Sequence, residues 1–202
     1  MSPRQTEANE ALKAKQRERI LNAAAPVFAR HGFLGTKVTD IAAAAGVSHG
    51  LVHHYFGSKA EVFVAIIERT MAGADALPNL LLSMQGTYRE RLAWFAQMIL
   101  EGVKAMPEVF FLSIEAGANA AVPAEARRLV AEKGALSVQA LGRFIAAGQA
   151  AGEFKRGDAN TLAIHLFALV QGLAIQRLIA GASSHEASPE VVVGLIAKQE
   201  ES

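Results

Sequence analysis

The sequence predicts an all-α protein, with a small N-terminal helix-turn-helix domain followed by a larger helical bundle, about nine helices in total. Three observations predict it. Ala, Leu and Gly dominate a chain of 202 residues that is 51% hydrophobic but only 6% aromatic, and Ala and Leu are strong helix formers. The Val/Ile/Thr/Tyr alternation that marks strands is scarce. Glycines and prolines punctuate the chain at helix-length intervals, where they suit helix ends and first turns.

Taken in order, residues 1–9 read as disordered. A helical pattern follows from Glu10 to Arg30, with Leu12, Ile20, Ala24, Val27 and Phe28 at apolar positions and Gly32 at the stop. Pro26 inside it predicts a bend or a local break. A short helix over Val38–Ala45 follows the capping candidates Thr36 and Thr39 and ends at Gly46; Ser48 caps a third helix reaching Phe56. Gly57 and Ser58 break the chain, and a fourth helix runs from Lys59 to about Ala76. Pro78 and Gly86 flank a short segment before a helix over Thr87–Ala105. Pro107 opens a helix ending near Gly117, and Pro123 a long one reaching Ala151. Asp158 caps a helix to about Ala180, GASSHEASP is a loop, and Pro189 opens a final short helix. The domain boundary is placed between 58 and 59, giving an N-terminal unit of 10–58 and a second unit of 59–202.

The net charge of +1 hides an asymmetry. Residues 1–59 carry eight Lys/Arg against four acids, and the remainder carries 12 against 15. Positive charge gathered at one end suits a polyanionic partner, as it also suits a solvated basic terminus. The absence of cysteine excludes disulfides, thiolate chemistry and cysteine-ligated metals, and fits a reducing cytoplasm. The polar N-terminus has no signal-peptide core. Residues Ala159–Gln176 lack formal charge, yet Asn160, His165, Gln171 and Gln176 mark them as a buried or interface helix rather than a membrane span. No phosphate loop, nucleophile motif or metal cluster stands out, so neither enzymatic activity nor a cofactor is expected. His49 and His53, four apart, could share a metal, but no third ligand lies near and no metal site is assigned.

The informative stretch is GFLGTKVTDIAAAAGVSHGLVHHYFGSK, residues 32–59. Two short helices joined by a tight turn at Gly46 make a helix-turn-helix. Ile41, Ala42, Ala45 and Val47 supply small contacts that let the helices cross closely. Val52 and Phe56 place one edge of the third helix on the core. The other edge shows His49, Gly50, His53 and His54, with Tyr55 beside them, groups able to meet base edges and phosphates. Lys59 adds a phosphate contact through its charge and the helix dipole. The bland alternative is a helical subdomain with exposed histidines.

This stretch, extended to GSKAEVF and preceded by ILNAAAPVFARHG, resembles the N-terminal signature of the TetR family of transcription regulators. The resemblance spans about residues 17–66. It implies a DNA-facing set of Thr36, Lys37, Ser48, His49, Gly50, His53, His54, Tyr55 and Lys59. In the run Val52–Phe56 a histidine replaces a tyrosine that holds phosphate in the family, an exchange that makes affinity pH-sensitive. The resemblance further implies a repressor that leaves a palindromic operator when a small-molecule effector binds the C-terminal domain. It implies a homodimer as well, formed through the last long helices and assigned here to 158–180 and 189–199. Candidate effector contacts, chosen as apolar walls with a few polar handles, are Trp94, Phe95, Met98, Phe110, Phe111, Glu115, Asn119, His165 and Gln171; for each, ordinary core packing is the alternative.

Overall fold

A computed structural model describes the backbone of residues 3–73, 76–181 and 187–198, with side chains from residue 9 onward. Ten helices are present among them: α1 (Pro3–Gly35), α2 (Val38–Ala45), α3 (His49–Phe56), α4 (Lys59–Met71), α5 (Ala76–Ser83), α6 (Tyr88–Ala105), α7 (Pro107–Ala118), α8 (Ala124–Ala150), α9 (Ala159–Ala180) and α10 (Pro189–Ile196). The all-α expectation holds. The additional helix is α5, which begins at Ala76, ahead of Pro78, and ends at Ser83 before Gly86. Part of the expected loop GASSHEASP and the end of the expected 189–199 helix lie outside the described residues.

Three element boundaries differ from expectation. α1 starts at Pro3 rather than Glu10, because proline suits a first turn and the Gln, Glu and Ala that follow are helix formers. It also runs through Pro26 and leaves helical geometry only at Gly32, with φ 67° and ψ 169°. Pro26 and Asn22 are both exposed, so the Asn22 carbonyl that proline deprives of a partner can turn to water. α4 stops at Met71 instead of Ala76.

Two hydrophobic cores organise the chain. The first joins α1–α4 to α7 and the start of α8, through Ile20, Phe28, Val52, Phe63, Leu112 and Ala126 among others. Its centre is an aromatic trio in which Phe63 stands edge-on to Phe28 and Phe33, at 5.1 and 5.3 Å between centroids. The second joins α6, the rest of α8, α9 and α10 around Phe95, Phe144 and Phe154. Phe110 of α7 packs against both. The first core therefore crosses residue 59, and α4 and α7 belong as much to the helix-turn-helix as to the C-terminal bundle.

Local chemistry fixes the helix starts. Thr87 and Glu90 exchange hydrogen bonds across the first turn of α6, and Asp158 accepts the Thr161 N–H at 2.7 Å at the start of α9. The turn after α8 is tied to the chain end by an isolated antiparallel bridge between Phe154 and Ala197.

Candidate DNA interface

α2 packs against α1, and α3 packs against α2 and α4. The α2 start is closed by Asp40, which accepts the Lys37 N–H at 3.0 Å; neither Thr36 nor Thr39 caps it. At its other end Gly46 takes a left-handed conformation, φ 62° and ψ 40°, that makes the turn short. The Arg19 guanidinium of α1 donates to the Gly46 carbonyl at 3.3 Å, a support the sequence did not reveal. Ser48 accepts the Leu51 N–H at 3.2 Å and so starts α3.

In α3, Val52 and Phe56 are 1% and 4% exposed and anchor the helix. His49, Gly50, His53 and His54 are all exposed. The His49 and His53 rings lie 6.0 Å apart, one turn above the other. A side chain at Gly50 would meet nothing within 4 Å, so the backbone there is open to close approach by a partner. Lys37, at the entrance to α2, is exposed too. Together these residues form a polar edge on a helix whose opposite side is buried.

Three members of the expected set are placed differently. Thr36 is 1% exposed, and its hydroxyl donates to the Gly32 carbonyl at 2.8 Å; it holds the α1–α2 junction and does not face outward. Lys59 donates to the carbonyls of Phe33, Leu34 and Thr36 at 2.9, 3.0 and 2.9 Å. Its three ammonium protons are thus committed to the end of α1, and it could meet a phosphate only by releasing one of them. Tyr55 lies roughly 200° around the helix from His53. It borders a cleft of about 370 Å³ with Arg17, Glu61, Glu68 and Glu125, while its ring stays 5.4 Å from that of His54.

The expected effector contacts are not gathered into one chamber. Trp94 and Met98 lie on α6, Phe110, Phe111 and Glu115 on α7, and His165 and Gln171 on the exposed side of α9. Phe95 is 1% exposed and belongs to the core. Asn119 closes the turn after α7, its Oδ1 accepting the Ala121 N–H at 2.9 Å. Glu115 accepts the Phe33 N–H at 3.0 Å, from a residue 82 positions away. A second cleft, of about 280 Å³, opens between α6, α9 and the start of α10 beside Leu100, Glu101, Leu173 and Arg177, and none of the expected contacts lines it. Residue type marked these side chains as pocket-like, but helix rotation decides where they point. Ala163, Leu166, Val170 and Ala174 turn inward on α9, which turns His165 and Gln171 out.

Comparison with known proteins bears on this geometry. Residues 20–66 match the family described as bacterial regulatory proteins, tetR family. These residues carry the helix-turn-helix domain of the tetR type. The transcriptional repressor NicS of Pseudomonas putida is 28% identical over 159 residues, 77% of this chain and 73% of that protein. The repressor NemR of Escherichia coli is 32% identical over 127 residues, 62% of this chain and 64% of that protein, just under two thirds of its length. Among solved structures, a transcriptional regulator from Saccharomonospora viridis in complex with choline is 25% identical with a TM-score of 0.69, covering 92% of this chain and 100% of that one. These relatives are helix-turn-helix transcriptional repressors, and the match places a helix-turn-helix DNA-binding domain of the tetR type over residues 20–66 of this chain.

Proposed function

We propose that this protein is a homodimeric repressor of the TetR family that binds a palindromic operator in double-stranded DNA and leaves it when a small organic effector binds the C-terminal bundle. The observation that carries the reading is the α3 edge. His49, Gly50, His53 and His54 stand exposed on a helix whose opposite side is locked into the core. Base edges are met from this side, while Lys37 and the hydroxyl of Ser48 meet backbone phosphates.

Dimerisation rests on α9. This helix has a mean hydropathy of 1.7 across an 18-residue window, yet only 22% of that window is buried. Ile164 and Ile179 are 52% and 75% exposed, and Ala168 and Gly172 lie between them on the same open side. An apolar helix side of this kind needs a cover. A second copy supplies it and sets two α3 edges at the spacing of successive major grooves, roughly 34–36 Å. α8, packed along α9, extends the surface with exposed Ala131, Ala135 and Leu136. Val191 and Leu195 of α10 are exposed as well and stand at its rim.

Effector entry is assigned to the seam between the cores, where Phe110 and Phe111 of α7 and Trp94 of α6 are only partly buried. The choline complex of the Saccharomonospora viridis protein supports a small organic ligand for this architecture. Repression is supported by NicS and NemR, both transcriptional repressors. An operator gel-shift with the duplex upstream of the chain's own coding sequence tests the reading, at several stated salt concentrations. Retardation that weakens steeply with salt is expected. Retardation equal to that of a scrambled duplex at every salt would refute it.

A further inference from the structure

Residue 33 is the point at which α1 ends and the chain turns into the helix-turn-helix. The unusual conformation of Gly32 takes the Phe33 N–H out of the helical hydrogen-bond series and aims it across the domain boundary. Its acceptor is Oε1 of Glu115 on α7, at 3.0 Å. The Phe33 carbonyl is held from the other side by the Lys59 ammonium at 2.9 Å, which also lies 4.9 Å from the Phe33 ring centroid. Opposite charges on two different helices therefore grip the amide and the carbonyl of one residue. From that residue the chain passes through buried Thr36 to Lys37 and α2, so the grip sets where the helix-turn-helix sits on the bundle.

The structure assigns Glu115 as a positioning residue for DNA binding: it fastens the helix-turn-helix to α7 through the Phe33 amide. Three further features fit this role. Gly32 has a positive φ of 67°, which glycine adopts without strain, and this turn aims the Phe33 N–H at the carboxylate; a Cβ there would only touch Glu115 Oε1, at 3.6 Å. The second oxygen, Oε2, is buried and accepts no hydrogen bond among the described residues, an arrangement that water would relieve if Glu115 swung out. The carboxylate thus has two alternatives, engaged or solvated, and a shift of α7 by roughly 0.5–1 Å along the bond is enough to pass from one to the other. The same helix carries Phe110, which touches both cores. A ligand that displaces Phe110 moves the carboxylate with it.

The inference rests on the DNA-binding reading, and its test separates the two. Full-length wild type, Glu115→Ala and Glu115→Gln are compared for affinity to the upstream duplex at fixed salt, for melting temperature, and for hydrogen exchange at the Phe33 amide. Gln keeps the acceptor oxygen and Ala removes it. Glu115→Ala is expected to bind about tenfold more weakly, within the usual range of coupling between sites, with fast exchange at Phe33; Glu115→Gln stays close to wild type in both. Wild-type affinity for Glu115→Ala, or an equal loss for Glu115→Gln, overturns the assignment. If Glu115→Ala fails to fold, Glu115→Asp replaces it: the carboxylate is one methylene too short, and undiminished affinity is the overturning result. Failure of the wild type itself to bind, with Phe33 exchange still following the residue-115 oxygen, sinks the DNA-binding reading and leaves the fastening intact.

Discussion

Two helices of this protein present an uncovered side to solvent, and they do so in opposite chemical terms. α3 is eight residues long, and its open edge is three histidines and a glycine. α9 is 22 residues long, and its open side is isoleucine, alanine and glycine with a few uncharged polar groups. The polar edge is stable in water by itself and waits for a partner rich in acceptors and negative charge. The apolar side is not, and it calls for a surface of its own kind. Exposure alone therefore says little; the chemistry of what is exposed separates a nucleic-acid partner from a protein one.

That contrast can be broken most forcefully at α9. Ile164→Asp combined with Ile179→Asp is expected to give a monomer by analytical ultracentrifugation. Because two linked half-site contacts then become independent, operator affinity falls by roughly 100-fold or more. A variant that remains dimeric would show that the apolar side serves something else.

The next largest effect is expected on α3. His53→Ala or His49→Ala should weaken operator binding by about tenfold, the scale of one lost base contact, with an unchanged melting temperature because both side chains are exposed. Gly50→Leu sharpens the point, since open space surrounds that position. It should leave the fold intact while impeding DNA, as measured by circular dichroism beside the gel-shift.

A smaller effect distinguishes the two lysines. Lys37→Ala is expected to reduce the slope of log affinity against log salt by about 1, as befits a lost phosphate contact. Lys59→Met should weaken binding while leaving the slope unchanged, because its charge is spent on the carbonyls of residues 33, 34 and 36. An equal change of slope would return Lys59 to the phosphate-binding set.

The smallest expected effect lies at the start of α9. Hydrogen bonds from Thr161, side chain and then backbone, hold the Asp158 carboxyl below the ordinary aspartate value. A depressed folded-state value stabilises the protein above the unfolded value and ceases to do so as pH falls through the folded one. Asp158→Ala should therefore lower the melting temperature slightly at neutral pH, and the gap should close below about pH 4, the ordinary aspartate range.

Much of the fold was legible because its signals are local. Thr87, Ser48 and Asp158 announce helix starts, Gly46 and Gly57 announce turns, and the run from Gly32 to Lys59 carries a spacing that few other folds use. The histidine edge of α3 was legible for the same reason: Val52 and Phe56, four apart, leave only one side free. The effector residues were not legible. Whether His165 faces a chamber, a core or a partner depends on how α9 is rotated against α8, and an apolar run that surrounds a helix has no periodicity to reveal that rotation.

By itself, then, the sequence determined the helices, the helix-turn-helix and the chemistry of its outward edge, since each follows from interactions among residues a few positions apart. The tertiary structure alone decided that Thr36 is buried, that Lys59 clasps the end of α1, and that Glu115 reaches Phe33 across 82 residues. These are contacts between elements distant in the chain. A lysine beside a helix start looks the same in sequence whether it holds a phosphate or three carbonyls, and only the packing of α1, α4 and α7 around one core brings the carbonyls within its reach.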